Sequence, residues 1–237
     1  MLSLKQRVHS IVWAYRMLRG TTSPKELPHF SQQLFSDDIA FDVGAHAGAW
    51  AYPLSRLMSQ VYAFEALPYY AQVLGPALRL AGRRNVTVLN RAVSNKAGTV
   101  SMVWRSPSGV RLTGLTHVAS QAESLDDTVT VECLSLDEFV MEQSLTSRRI
   151  GLLKCDVEGF ECNVIEGARE LLRRCRPLVF CEAQNTSFAR YGKHSSDLIQ
   201  LMTGQGYRPH VCLPDGSIRP VEASTYCGEG DILFRPE

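Results

Sequence analysis

FDVGAHAGAW, residues 41–50, runs an apolar strand pattern onto Asp42 and then sets two glycines, Gly44 and Gly48, four residues apart. The layout resembles the G-x-G-x-x-G loop that cradles a pyrophosphate at a helix N-terminus, but the glycines stand in another register, with His46, alanines and Trp50 around them. Outward from this loop the chain alternates short apolar runs with helical patterns. IAFDV (39–43) reads as a strand, AWAYPLSRLMS (49–59) as a helix and VYAFE (61–65) as a strand. PYYAQVLGPALRLAG (68–82) is a helix closed by Gly82, and NVTVLNRAV (85–93) a third strand. That β-α-β-α-β order predicts a parallel sheet with right-handed crossovers and helices on both faces.

GTVSMVW and TVTVECL read as β segments flanking a polar loop at 105–127, too long for a plain connector and therefore a candidate functional loop or lid. The doubly wound rhythm resumes with IGLLKCD (150–156), one helix through ECNVIEGARELLRR, the strand PLVFCEA (177–183) and a helix near Ser196–Thr203. A terminal strand pair, YRPHVCL and DILFR, completes a sheet of about seven strands.

With 237 residues, 45% apolar and 21% charged, the chain has enough material for one well-cored domain with a small extra arm. A net charge of +1, with both signs mixed along the sequence, offers no basic face for nucleic acid. Seven cysteines without a C-x-x-C pair, several inside apolar runs, point to buried thiols in a reducing compartment. No apolar run approaches the ~20 residues that span a bilayer, and the first twenty residues lack the segregated charge of a signal peptide, so the expected location is cytoplasmic, without stable membrane insertion. Residues 1–36 read as a helical arm and linker, and 37–237 as the catalytic domain. In the arm, Leu4, Val8, Ile11, Val12, Tyr15 and Leu18 form a stripe at helical spacing with Lys5, Arg7, Arg16 and Arg19 off it. The stripe is expected to pack on its own domain or on a second subunit of a homo-oligomer, a membrane-surface helix being the alternative. Thr21–Pro28 reads as linker.

In doubly wound sheets ligands sit beyond the carboxyl ends of the strands, which directs attention to Asp42–Gly48, Glu65, Asn90–Val93, Asp156–Gly159 and Glu182–Asn185. Glu65 follows Asp42 by 23 residues, the spacing at which an acidic side chain takes both hydroxyls of a ribose. Asp42 in the loop would repel a phosphate; it can attract an ammonium or fix the loop. A ligand that joins a ribose and adenine to a zwitterionic tail with a positive sulfonium is S-adenosylmethionine. Its candidate binding residues are Asp42, Gly44, Gly48 and Glu65, with Asn90, Arg91 and Ala92 where the adenine is expected. His46 either lines the mouth of the site or is a solvated loop residue.

The segments FDVGAHAGAW, VYAFEALPYYAQVL, VTVLNRAVSNKAG, LLKCDVEGFECNVIEGARELL and RPLVFCE, in this order over about residues 38–185, resemble the FkbM family of S-adenosylmethionine-dependent methyltransferases. The resemblance implies a class I methyltransferase fold with the last strand antiparallel. It also implies O-methylation of a hydroxyl, on a sugar or oligosaccharide or, as the alternative, on a polyketide or other secondary metabolite. The chain departs from the family pattern at Ala66, where proline is common, and at His46, where asparagine is.

DVEG (156–159) is the candidate chemical centre. Asp156 ends a strand, and Glu158 is either the cap of the next helix or, with Asp156, the carboxylate that takes the acceptor's proton. Glu161 reads as a first-turn surface charge. Glu182 ends the neighbouring strand, and two carboxylates on adjacent strand ends need a compensating cation. Mg²⁺ held by Asp156 and Glu182 is one solution, and Lys154 turned inward is the other. Two readings outside this class are an inactive nucleoside-binding module, disfavoured by the three acidic residues together, and an NAD-dependent oxidoreductase, disfavoured by the loop register and by the lack of a Tyr-x-x-x-Lys pair.

Overall fold

The computed structural model describes residues 2–21, 23–104, 115–120, 128–222, 226 and 230–237. The described residues form two sheets. The larger has eight strands, in spatial order β11 (218–220), β10 (207–212), β12 (230–236), β9 (178–183), β8 (150–155), β1 (39–43), β2 (60–64) and β3 (86–89). The five from β9 to β3 are parallel, while β12 runs antiparallel to both β9 and β10. The expected seven strands are thus joined by an eighth, β11, because the chain after Cys212 folds back as a hairpin onto the edge of β10.

The two expected β segments, GTVSMVW and TVTVECL, are strands, and with two short strands they form a separate sheet that the sequence does not announce. It joins β4 (92–93), β7 (128–134), β5 (98–103) and β6 (117–118). The run 85–93 is therefore not one strand. The side-chain amide of Asn90 donates to the carbonyls of Glu65 (3.0 Å) and Ala66 (2.7 Å), the chain turns, and Ala92–Val93 pairs with Cys133–Leu134 instead. Of the long loop, residues 105–114 and 121–127 lie outside the described residues, so the expected lid does too, while His117–Val118 form β6 against β5.

Strands β1 and β8 are buried along their whole length, as central parallel strands covered on both faces must be. One face carries α1 (4–18), α2 (27–30), α3 (51–57) and α4 (68–80), with Met17, Phe30, Leu54 and Leu74 in its core. The other carries α5 (136–142), α6 (161–166), α7 (169–175), α8 (185–189) and α9 (195–203), with Phe139, Ile165, Leu172 and Ile199. The helix expected over 161–174 is broken into α6 and α7 at Gly167, where the backbone of Ser94 and Asn95 comes too close for a side chain. The end of the expected linker is also structured: Leu27 and Phe30 are buried, and Phe30 stacks on Trp50 and Phe180 at 6.2 and 5.8 Å between centroids.

The largest departure concerns α1. Its capping box, Ser3 with Gln6, starts a 15-residue helix as the periodicity predicts, yet the apolar stripe does not face the domain. Ser10, Ala14 and Met17 are the buried positions, whereas Leu4, Val8, Ile11, Val12, Tyr15 and Leu18 are exposed.

Among the described residues the cysteines are unpaired, with Cys133, Cys155, Cys162 and Cys181 buried; Cys227 lies outside the described residues. Among the described residues, no helix is long and apolar enough to cross a membrane.

Candidate active site

A cavity opens at the carboxyl ends of β1, β2 and β8, where the doubly wound topology predicts a ligand. Its wall includes Gly44, His46, Glu65, Arg91, Ala92, Asp156 and Glu158, over an apolar floor of Phe64, Val93 and Met102. Counting its open mouth it holds about 740 Å³. Gly44 makes the approach of two strand ends possible: it has φ +77°, and a Cβ there would collide with the carbonyl oxygen of Asp156.

Each sequence-predicted residue has a definite place. Glu65, 5% exposed, lines the cavity, and each carboxylate oxygen accepts one backbone N–H, Oε2 from His46 and Oε1 from Leu67, both at 2.8 Å. Burial pushes its carboxyl up to about 7, against the pull of those two donors. His46 sits at φ +42° on the cavity wall rather than in solvent, with its ring 4.7 Å from that of Tyr70 and 5.9 Å from that of Trp13; burial lowers its pKa. Arg91 and Ala92 line the cavity, and Arg91 also meets Glu132 and Glu142 at 3.6 and 3.4 Å.

Three residues assigned to the cofactor do not line the cavity: Asp42 and Gly48 are buried behind its wall, and Asn90 is exposed beside it. Asp42 is wholly buried, and its Oδ1 is 3.1 Å from the Nζ of Lys154, its register partner on β8. Lys154 also donates to the carbonyls of Val43 (3.1 Å) and Gly44 (2.8 Å), so the pair fixes the loop, which is the second of the two roles open to Asp42. Gly48 packs under Leu74 and Met17, making room for α1 and α4. Asn90 holds the Glu65–Ala66 backbone through the bonds described above.

At the far end of the cavity the carboxylates gather. Asp156, Glu158 and Glu182 each offer an oxygen within 4.8 Å of the others. Glu158 does not cap a helix: α6 begins at Glu161, and Glu158 stands in the turn before it at φ +58°, a strained conformation for a non-glycine residue. The turn is held because Gly159 lies against the backbone of Ser187 and Phe188, too close for any Cβ. Arg190 Nη1 donates to the Glu158 carbonyl at 2.8 Å, and Ser187 Oγ to its Oε2 at 3.3 Å. Burial and then the Asp156 charge raise the pKa of Glu158. Burial, followed by Asp156 and Glu158, pushes Glu182 up to about 8.

Lys154 reaches this group too, its Nζ lying 3.6 Å from Asp156 Oδ2. Burial works against its charge, but Asp42 and Asp156 together outweigh that and raise its pKa, so the ammonium is retained. Glu161 departs from the expected surface charge: it is 1% exposed, accepts the Val157 N–H at 2.8 Å, and is pushed by burial up to about 8. Asp231 pairs in register with Glu182 on the antiparallel strand β12, and burial moves it up to about 6. It carried no local sequence signal. Lys154 did, as the lone charge in the strand IGLLKC.

Beyond Val118 and Phe160 the cavity joins an open groove lined by Ser120, Asn163, Arg190, Tyr191 and Lys193. Phe160 and Tyr191 meet edge to face at 5.4 Å.

This topology, with a cavity at the strand ends, defines a methyltransferase-like α/β fold. SMU.1697c of Streptococcus mutans, solved in complex with SAH, aligns with a TM-score of 0.51 at 12% identity over 90% of this chain and 97% of its own. The FkbM methyltransferase of Methylobacillus flagellatus KT aligns with a TM-score of 0.50 at 17% identity over 84% of this chain; the chain spans 43% of that protein. No curated protein matches the chain. The methyltransferase FkbM domain matches residues 42–209, and the chain belongs to that family of S-adenosylmethionine-dependent methyltransferases.

Proposed function

We propose that the chain transfers a methyl group from S-adenosylmethionine to a hydroxyl of a sugar or oligosaccharide. The observation that carries this reading is the carboxylate group Asp156, Glu158 and Glu182, two of which line the cavity that the groove adjoins at Val118 and Phe160. The cavity fits the cofactor by its chemistry: an apolar floor for a purine, a buried carboxylate for ribose hydroxyls, and a bare glycine backbone beside them. Glu65 would take the ribose with the oxygen lone pairs its backbone donors leave free, and Arg91 and Ala92 would flank the adenine. When bound, the cofactor supplies an electrophilic methyl group on a sulfonium.

The chain's own residues supply alignment and proton removal. The acceptor oxygen attacks the methyl carbon as the carbon–sulfur bond breaks, and Glu158 or Asp156 takes the hydroxyl proton. The aromatic edge of Tyr191 with the amide of Asn163 suits a sugar, which presents an apolar ring face and a rim of hydroxyls. Asp156 and Glu182 would hold a Mg²⁺ ion, since all-oxygen donors suit that cation and its charge would relieve the mutual repulsion that raises Glu182.

The test is transfer of a labelled methyl group to a panel of oligosaccharides and polyketide alcohols, with and without EDTA. Labelled oligosaccharide, lost in EDTA and restored by Mg²⁺, is the expected result. Turnover indifferent to EDTA removes the ion and leaves the carboxylate base. Label on the polyketide alcohols alone overturns the acceptor class.

A further inference from the structure

We propose that the outward face of α1 docks on an anionic lipid surface, with the helix lying in the plane of the membrane interface. This does not rest on the methyl-transfer reading. The inner face of α1 is fully engaged with α4. Gln6 donates to Gln72 (2.6 Å), Ser10 to the Val73 carbonyl (3.0 Å), Tyr69 shares a 2.7 Å hydrogen bond with His9, and Trp13 stacks on Tyr70 at 6.0 Å. The apolar side chains point the other way. Leu4 is 79% exposed, Val8 49%, Ile11 60%, Val12 39%, Tyr15 60% and Leu18 60%. They recur every three or four residues and so form one continuous stripe along a 15-residue helix. Lone exposed leucines are ordinary; six large apolar side chains in one file are an interaction surface.

The charges around the stripe select its occupant. Lys5, Arg7, Arg16 and Arg19 flank it, and residues 1–20 contain no aspartate or glutamate. A second copy packed face to face would bring eight like charges together with no acidic partner on either helix. An anionic lipid headgroup layer meets those four cations favourably, while the apolar file enters the acyl boundary. Fifteen residues at 1.5 Å each make about 22 Å, too short to span the hydrocarbon core, so the helix lies along the interface. Docking there would hold the active site close to the membrane, because Trp13, on the inner face of the same helix, is 5.9 Å from His46 in the cavity wall.

The experiment is co-sedimentation of the full chain with vesicles of phosphatidylcholine alone and of phosphatidylcholine with 30% phosphatidylserine, at low and high salt. Light scattering of the free protein is measured alongside. The expected result is sedimentation with the anionic vesicles only, weakened by salt. It should fall about tenfold or more in Lys5→Glu/Arg16→Glu and be abolished in Ile11→Ser/Tyr15→Ser/Leu18→Ser. These side chains are exposed, so thermal melting and S-adenosylhomocysteine affinity should match the parent and show that both variants are folded. No sedimentation with anionic vesicles overturns the proposal. So does a dimer in light scattering that the triple serine variant converts to monomer.

Discussion

Two groups of carboxylates lie within one strand end of each other, and the molecule treats them in opposite ways. Asp42 and Glu65 are almost wholly buried and pinned in place: Asp42 beside the Lys154 ammonium at 3.1 Å, with burial still raising its pKa, and Glu65 by two backbone N–H donors at 2.8 Å. Asp156, Glu158 and Glu182 are less buried and undercompensated in charge: the three share one lysine, 3.6 Å from Asp156, beside neutral donors from the Ser187 hydroxyl to Glu158 at 3.3 Å and from the Gln184 amide to Glu182 at 2.7 Å. Buried carboxylates pinned by a counter-ion or backbone donors build a rigid cradle; partly exposed carboxylates that crowd one another remain available to a proton, a cation or a substrate. On the proposed reading, the cofactor end is architecture and the acceptor end is chemistry.

The sharpest way to break that contrast is to remove its shared cation. Lys154→Met leaves Asp42 buried without a counter-charge and should cost about 3–5 kcal/mol in urea denaturation. A loss under about 1 kcal/mol would mean that the loop is fixed by something else. At the acceptor end, Glu158→Gln should lower methyl transfer by about 10²–10⁴ while leaving the melting temperature near that of the parent. Full activity in both Glu158→Gln and Asp156→Asn would take the chemistry away from this cluster.

Glu65→Ala tests the cradle from inside. Losing a charge-assisted contact to the ribose should weaken S-adenosylhomocysteine binding by on the order of 1.5–3 kcal/mol, read by calorimetry. Unchanged affinity would reduce Glu65 to a backbone clamp for His46 and Leu67.

The smallest effect is on pH. Glu161 and Glu182 hold their protons up to about 8 in the folded protein, above the ordinary 4.5, so folding is favoured where they are protonated. That contribution is complete below about pH 4.5 and is lost as pH rises towards 8. Melting temperature of the ligand-free protein should therefore decline across that window, and Glu182→Gln, neutral throughout, should flatten the decline. A melting temperature that climbs from pH 5 to 8 would contradict the undercompensated cluster.

The strand ends were legible because a parallel core writes itself in the sequence: IAFDV and IGLLKC are nearly continuous apolar runs, and turn residues follow each. What a residue does once there was less legible. Asp42, Gly48 and Asn90 read as ligand contacts, yet none lines the cavity: Asp42 and Gly48 act one layer behind its wall, on Lys154 and on Leu74 and Met17, and the exposed Asn90 acts on the Glu65 carbonyl. Sequence spacing fixes which residues reach a strand end, but not whether a side chain turns to the cavity or to the neighbouring strand. Glu161 was misread because a first-turn acid is ordinarily solvated, whereas here the Val157 N–H folds back onto it. The expectation that the α1 stripe packs on its own domain failed for a related reason. Periodicity identifies an apolar face but does not say that it points inward, and a closely packed helix pair can use Ser10 and Ala14 at the contact instead. The strands β5 and β7 of the second sheet are legible, but β4 is not, because the chain leaves β3 at Asn90 through hydrogen bonds to a distant segment.

The most direct test of the account is a calorimetric titration of the purified chain with S-adenosylhomocysteine and, separately, with NAD. A cradle built from Gly44, Glu65 and the Arg91–Ala92 backbone on an apolar floor should bind S-adenosylhomocysteine at one site per chain and leave NAD unbound. Binding of NAD without S-adenosylhomocysteine, or of neither, would contradict it.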